Sequence, residues 1–191
     1  MKNENSTRYF EVLSNVLLNT EVTDHGRKKL LLEEGMKQAI ESISSLKKIN
    51  GKVMLVGNGG SAAIASHQAV DFWKCVGIKA TAFNDLSQLT CLSNDYGYEY
   101  VFSKSIEMFA DEGDVLLAIS SSGRSVNILK AVEAARQKNC SSVLTFSGFD
   151  ADNSLRILGD LNFYVKSHSY GHVEISHLAL IHAIADAFLL K

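Results

Sequence analysis

The chain has 191 residues, 46% of them hydrophobic, a length and composition that suit one globular domain with a sizeable core. Its 19 Lys and Arg are outnumbered by 21 Asp and Glu, so there is no cationic excess to follow a nucleic-acid backbone or an anionic membrane surface. The expected partner is a small molecule or another protein.

At the amino terminus, MKNENSTRYF is polar and lacks the apolar stretch of a signal peptide. No later run approaches the length of a membrane span, so a cytoplasmic location is expected. Residues 7–18 and 25–49 repeat apolar side chains at a helical period, the second through Leu30, Leu31, Met36, Ile40 and Ile43. Together they predict a helical lead-in over residues 1–50. From Lys52 the pattern changes to short β-rich runs, KVMLVG, KATAF, DVLLAIS, SSVLTF and LNFYV, separated by segments of helical length. Such alternation predicts a parallel α/β sheet with right-handed crossovers that put helices on both faces. Residues 172–190 predict a last helix, apolar around much of its circumference, as in a buried helix or a subunit interface. No repeat, low-complexity tract or linker is evident, so the lead-in and the core over residues 51–191 are read as one domain. Cys75, Cys91 and Cys140 have no paired spacing and are expected to be reduced packing thiols. Proline is absent, where average usage would give about ten.

In an open parallel sheet, ligands bind beyond the carboxyl ends of the strands, and two loops there have unusual composition. GNGGS follows the first strand: Gly57, Gly59 and Gly60 permit close backbone approach, while Asn58 and Ser61 add hydrogen-bonding side chains. It is neither a complete dinucleotide fingerprint nor a Walker-type loop, which ranks a nucleotide-dependent oxidoreductase last among the readings. SSSGRS, residues 120–125, precedes a helix beginning near Val126. Ser120, Ser121, Ser122 and Ser125 set hydroxyls where free N–H groups and the helix dipole favour an anion, and a phosphate monoester is the natural ligand. Helix capping alone would need one serine. Arg124 either adds charge to this loop or faces solvent.

His67 and Asp71 share one face of the helix that starts beneath the glycine turn. That spacing suits two ligands of one metal ion, a hydrogen-bonded pair or a polar surface stripe. In the last helix Glu174, His177 and His182 are polar groups within an apolar segment and need a reason to be there. Glu174 and His177 form an E-x-x-H pair like those that ligate metals in helical bundles, with a satisfied core histidine as the alternative for either His.

The two loops, with SNDYGYEYVFSKSIE, EGDVLLAISSSGRSVNILKAVEAAR and the final IHAI segment, resemble the sugar isomerase (SIS) family, and within it the phosphoheptose isomerases, from about Gly51 onward. The resemblance implies an α/β SIS fold with a five-stranded, flavodoxin-like parallel sheet flanked by helices. It implies an enzyme, a ketose–aldose isomerase that converts sedoheptulose 7-phosphate through an enediol into D-glycero-D-manno-heptose 7-phosphate for lipopolysaccharide or capsule. Substrate binding would fall to Asn58, Gly59, Gly60, Ser61, Asp95, Ser120, Ser121, Ser122, Ser125 and Glu174. Asp71 and His182 would move protons, and His67, Asp71, Glu174 and His182 would hold a zinc ion. A homo-oligomer, a tetramer built from dimers, is also implied.

The chain departs from that pattern in places. Asp71 stands where the family has a glutamate and Glu174 where it has a glutamine; the stretch between Asp71 and Asn84 is shorter and lacks an arginine; SYGH replaces an acidic and basic approach to Glu174. Glu174 and His182 lie ~12 Å apart along an ideal helix axis, so four ligands meet only if both lean to one point or different subunits contribute. The competing reading is a non-catalytic SIS protein that binds a sugar phosphate or a protein partner, of the replication-initiator-associated kind. Those members lack the acidic base and the last-helix histidine, whereas Asp71 and His182 are present here.

Overall fold

A computed structural model describes residues 6–189, so residues 1–5 of the predicted lead-in and residue 190 of the predicted last helix lie outside it. The lead-in is not all helix. α1 (Ser6–Leu18) and α2 (Leu32–Ile49) flank a hairpin, β1 (Glu21–Asp24) and β2 (Lys29–Leu30), so the helix expected from residue 25 begins only at Leu32. Asp24 sets the turn, its carboxylate accepting the Lys28 N–H at 2.9 Å while Arg27 takes φ 63°. Leu30 fits a helical period and a short strand equally, and its pairing with Val22 decides for the strand. Val22 is buried, and it approaches α2 so closely that a Cβ on Gly35 would lie 2.5 Å from its Cγ1.

From Lys52 the expected alternation follows: β3 (Lys52–Gly57), α3 (Gly60–Asp71), β4 (Lys79–Ala82), α4 (Leu86–Tyr96), α5 (Val101–Phe109), β5 (Val115–Ser120), α6 (Val126–Gln137), β6 (Ser142–Gly148), β7 (Leu161–Val165) and α7 (Tyr170–Asp186). The seven-stranded sheet runs β2-β1-β7-β6-β5-β3-β4. Strands β3 to β7 pair in parallel in the flavodoxin-like order, β1 joins β7 antiparallel, and β2, within residues expected to be helical, pairs with β1 as the edge strand.

Every residue of β5 and β6 is buried, which explains the near-continuous apolar run of VLLAI in β5; β6 buries Thr145 and Ser147 among its apolar residues. Side chains along β3 alternate between two cores: Val53 and Leu55 pack toward α2, α3 and α7, whereas Met54 and Val56 pack toward α5 and α6. Phe146 and Phe163 stack at 5.1 Å in the first of these. The chain runs from β3 outward to β4 and then returns to β5 on β3's other side. This reversal opens a crevice beyond the carboxyl ends of β3 and β5, the place where such sheets bind ligands.

All three cysteines are free; Cys140 is buried, and burial pushes its thiol up to about 11, which makes it inert packing. No helix among the described residues is long and apolar enough to cross a membrane.

Candidate active site

The crevice holds a cavity of about 250 Å³. Asn58, Gly59, Gly60 and Ser61 line it from the glycine turn, Ser120, Ser121, Ser122 and Ser125 from the serine loop, and Tyr170 and Glu174 from α7. Ser125 is the residue that precedes α6, yet its side chain makes no capping bond; its carbonyl accepts the Ile128 and Leu129 N–H groups at 3.0 and 3.1 Å, which leaves the Val126 and Asn127 N–H groups to a ligand. Ser120 Oγ accepts the Gly123 N–H at 3.2 Å and lies 3.3 Å from Ser125 Oγ. Ser121 Oγ is buried without a hydrogen-bond partner among the described residues, which is costly unless a ligand supplies one. Arg124 does not face the cavity chemistry: its guanidinium donates to Asp152 at 2.6 Å and lies 3.8 Å from Asp150. An anion in this cavity would meet hydroxyls and backbone N–H groups rather than a guanidinium.

The glycine turn is shaped by close approach. A Cβ on Gly57 would stand 2.5 Å from the Ser61 backbone, and Gly59 takes φ 54° as α3 begins. Asn58, expected to face substrate, is engaged within the protein: it exchanges two hydrogen bonds of 2.9 Å with Asn127 on α6, and Tyr98 Oη donates to its Oδ1 at 3.0 Å. The pair ties the glycine turn to the start of α6. Asn84 holds the other flank of α3, donating to the Ala62 carbonyl and to Ser66 Oγ at 2.8 Å each.

A second group forms farther along the same helices. His67, Asp71 and His182 bring one ligand atom each within 4.8 Å of one another. His67 Nε2 lies 3.3 Å and His182 Nδ1 3.6 Å from Asp71 Oδ2, which also accepts from Gln68 Nε2 at 3.3 Å. The donor set, two imidazoles and a carboxylate with His67 open to solvent, fits a zinc site that keeps a free position. After Asp71 the helix widens into a π turn over Phe72–Val76, ended by Gly77 at φ 72°.

Glu174 is not in that group. Its carboxylate stands over the start of α3, where a Cβ on Gly60 would collide with it. Since Gly60 faces Glu174 and Asp71 faces His182, α3 and α7 run parallel, and the ~12 Å between the two α7 residues separates cavity from cluster. His177 is a core histidine: fully buried, with Nε2 donating to the Ser147 carbonyl at 3.1 Å. Asp95 lies exposed on α4, bonded to its neighbour Asn94 at 2.9 Å, and is gathered into neither group. Tyr170, Asn127 and Tyr98 were not singled out in the sequence. Only Asn127, a polar residue directly after the serine loop, offered a local signal.

This doubly wound sheet, with the glycine and serine loops at its switch point, is the arrangement of a SIS domain, and the profile of that family matches residues 20–144. The chain is 39% identical to the phosphoheptose isomerase of Photorhabdus laumondii over 159 residues, 79% of this chain and 80% of that one. It is 35% identical to the phosphoheptose isomerase of Helicobacter hepaticus over 179 residues, 89% of this chain and 90% of that one. The structure of the phosphoheptose isomerase from Neisseria gonorrhoeae matches with a TM-score of 0.84 at 30% identity, covering 98% of this chain and 99% of that one. The chain belongs to the phosphoheptose isomerase family of SIS-domain enzymes.

Proposed function

We propose that the chain interconverts sedoheptulose 7-phosphate and D-glycero-D-manno-heptose 7-phosphate, a product for surface polysaccharide. What carries this reading is an anion cavity and a His–Asp–His cluster set along one pair of parallel helices. The phosphate rests on the serine loop and the first turn of α6. From there the sugar runs along α3, where Gly60 and His67 are ~10 Å apart on the axis, the scale of a heptose backbone.

Asp71 removes the proton from the carbon beside the carbonyl, and His182, against the same carboxylate, gives a proton to the carbonyl oxygen. The enediol collapses when the carbon proton returns from Asp71 to the neighbouring carbon and His182 recovers a hydroxyl proton. In this reading Oδ1 takes the carbon proton, which is supported by the contacts of Asp71 with His67, His182 and Gln68 all running to Oδ2. Glu174 accepts hydrogen bonds from sugar hydroxyls. Zinc, held by His67, Asp71 and His182, would supply Lewis-acid polarisation of the carbonyl.

A homotetramer completes the reading. It is supported by α1, which buries none of its residues, and by an apolar hollow between α1, α2 and α7 that exposed Leu18 lines with Leu17, Leu32, Met36 and Ile40.

The decisive experiment follows deuterium from D₂O into C1 and C2 of sedoheptulose 7-phosphate by NMR. Uptake should require the protein and vanish in His182→Ala. Absence of uptake with folded, zinc-loaded protein would refute the isomerase reading for this sugar. Metal content gives an independent check: about one zinc per chain is expected in wild type, and His67→Ala should lose it on dialysis.

A further inference from the structure

We infer that Asn153, which lines no part of the cavity, is a positioning residue that holds the serine loop in its anion-binding shape. The inference rests on the reading of that loop as the phosphate site. Asn153 lies between β6 and β7 and is 1% exposed. Its Nδ2 donates to the Asp150 carbonyl at 2.7 Å and the Gly148 carbonyl at 3.2 Å, and its Oδ1 accepts the Arg156 N–H at 3.0 Å. Three backbone groups on separate residues thus fix the plane of one amide.

That fixed amide stands directly against Gly123, where a Cβ would collide with Oδ1 and Cγ. Gly123 is the pivot of the serine loop, at φ 61°, with its N–H donating to the Ser120 carbonyl at 3.0 Å. Its own carbonyl accepts the Leu155 N–H at 2.9 Å. The loop is therefore held from inside by Ser120 and from beneath by the 153–155 turn. Close approach continues beside it: a Cβ on Gly148 would lie 3.0 Å from the Ser121 carbonyl oxygen. The exposed Arg124–Asp152 pair adds little to this hold, because solvent screens it. Hydroxyls and N–H groups bind an anion well only when held to about 0.5 Å, so loosening the brace should cost affinity for the phosphate end and spare proton transfer at the distant cluster.

Two variants act on the contact from opposite sides. Asn153→Asp keeps the shape and the acceptor but turns an oxygen toward two carbonyls. Gly123→Ala keeps Asn153 and drives a methyl group into it. On the full-length, zinc-loaded enzyme, kcat and KM for sedoheptulose 7-phosphate are measured together with the inhibition constant of inorganic phosphate. Both variants should raise KM and the phosphate constant in parallel, by about tenfold or more, with kcat held within about threefold. A purely structural defect would instead lower the active fraction, and so kcat, at unchanged KM. Wild-type KM and phosphate constants in the folded variants, or a fall in kcat alone, would overturn the inference. If Asn153→Asp fails to fold, Gly123→Ala decides. Phosphate that fails to compete in the wild type would remove the phosphate reading of the loop, and the inference with it.

Discussion

Asp71→Asn is expected to lower turnover by about two to four orders of magnitude, the range associated with loss of a general base. The substitution keeps the size of the side chain and a polar group facing Gln68, His67 and His182, so packing at the end of α3 is preserved. It removes the oxygen that can accept a proton from carbon. Little stability should be lost, because the partners are half-exposed imidazoles and such contacts contribute little when solvated. Asp71→Glu is the comparison variant: it keeps the charge and adds one methylene, so any activity it retains separates loss of the base from loss of shape. Steady-state turnover and thermal midpoints on the three proteins make the check. An Asp71→Asn enzyme that turns over at the wild-type rate would take this carboxylate out of the proton path.

The α/β core was legible because strands buried on both faces read as near-continuous apolar runs, as Val115–Ile119 of β5 does. The hairpin was not, because Leu30 and Leu31 satisfy two periods at once and only the distant partner, β7, gives β1 an edge to join. At the site, composition singled out both loops that line the cavity. It could not reveal that Asn58 is bonded to Asn127, since that pair is 69 residues apart and depends on how α6 is set against β3. The spacing of Glu174 and His182 raised the question of a shared metal. The parallel packing of α3 on α7 answers it, giving each α7 residue a different station on α3.

His177 illustrates the same limit and leads to a pH effect on stability. In sequence it forms an E-x-x-H pair with Glu174, yet the ring points into the core, with Nε2 donating to Ser147 and Nδ1 unpartnered among the described residues. Burial pushes its pKa down to about 4, against the smaller opposing effect of the Ser147 carbonyl, which favours the protonated ring. The unfolded chain should titrate near ~6.5. Above that value the ring is neutral in both states and contributes no slope. As pH falls from there toward 4, the unfolded state takes up the proton first, and stability is lost progressively, by about 3 kcal/mol in total from this group. Urea unfolding at pH 7 and at pH 4.5 should therefore show a steep loss in wild type and a shallower one in His177→Gln, which can still donate to Ser147. Carboxylates titrate alike in both proteins, so the difference between their slopes isolates the histidine. Equal slopes would mean that the ring is protonated without cost and that its burial is not maintained in solution. Ser147 pairs with Ser120 across β5 and β6, so a charge forced onto His177 would part α7 from the strand ends that carry the serine loop. Affinity for inorganic phosphate should then weaken only as pH falls to about 4, where the folded ring itself takes up the proton, in wild type and less so in His177→Gln.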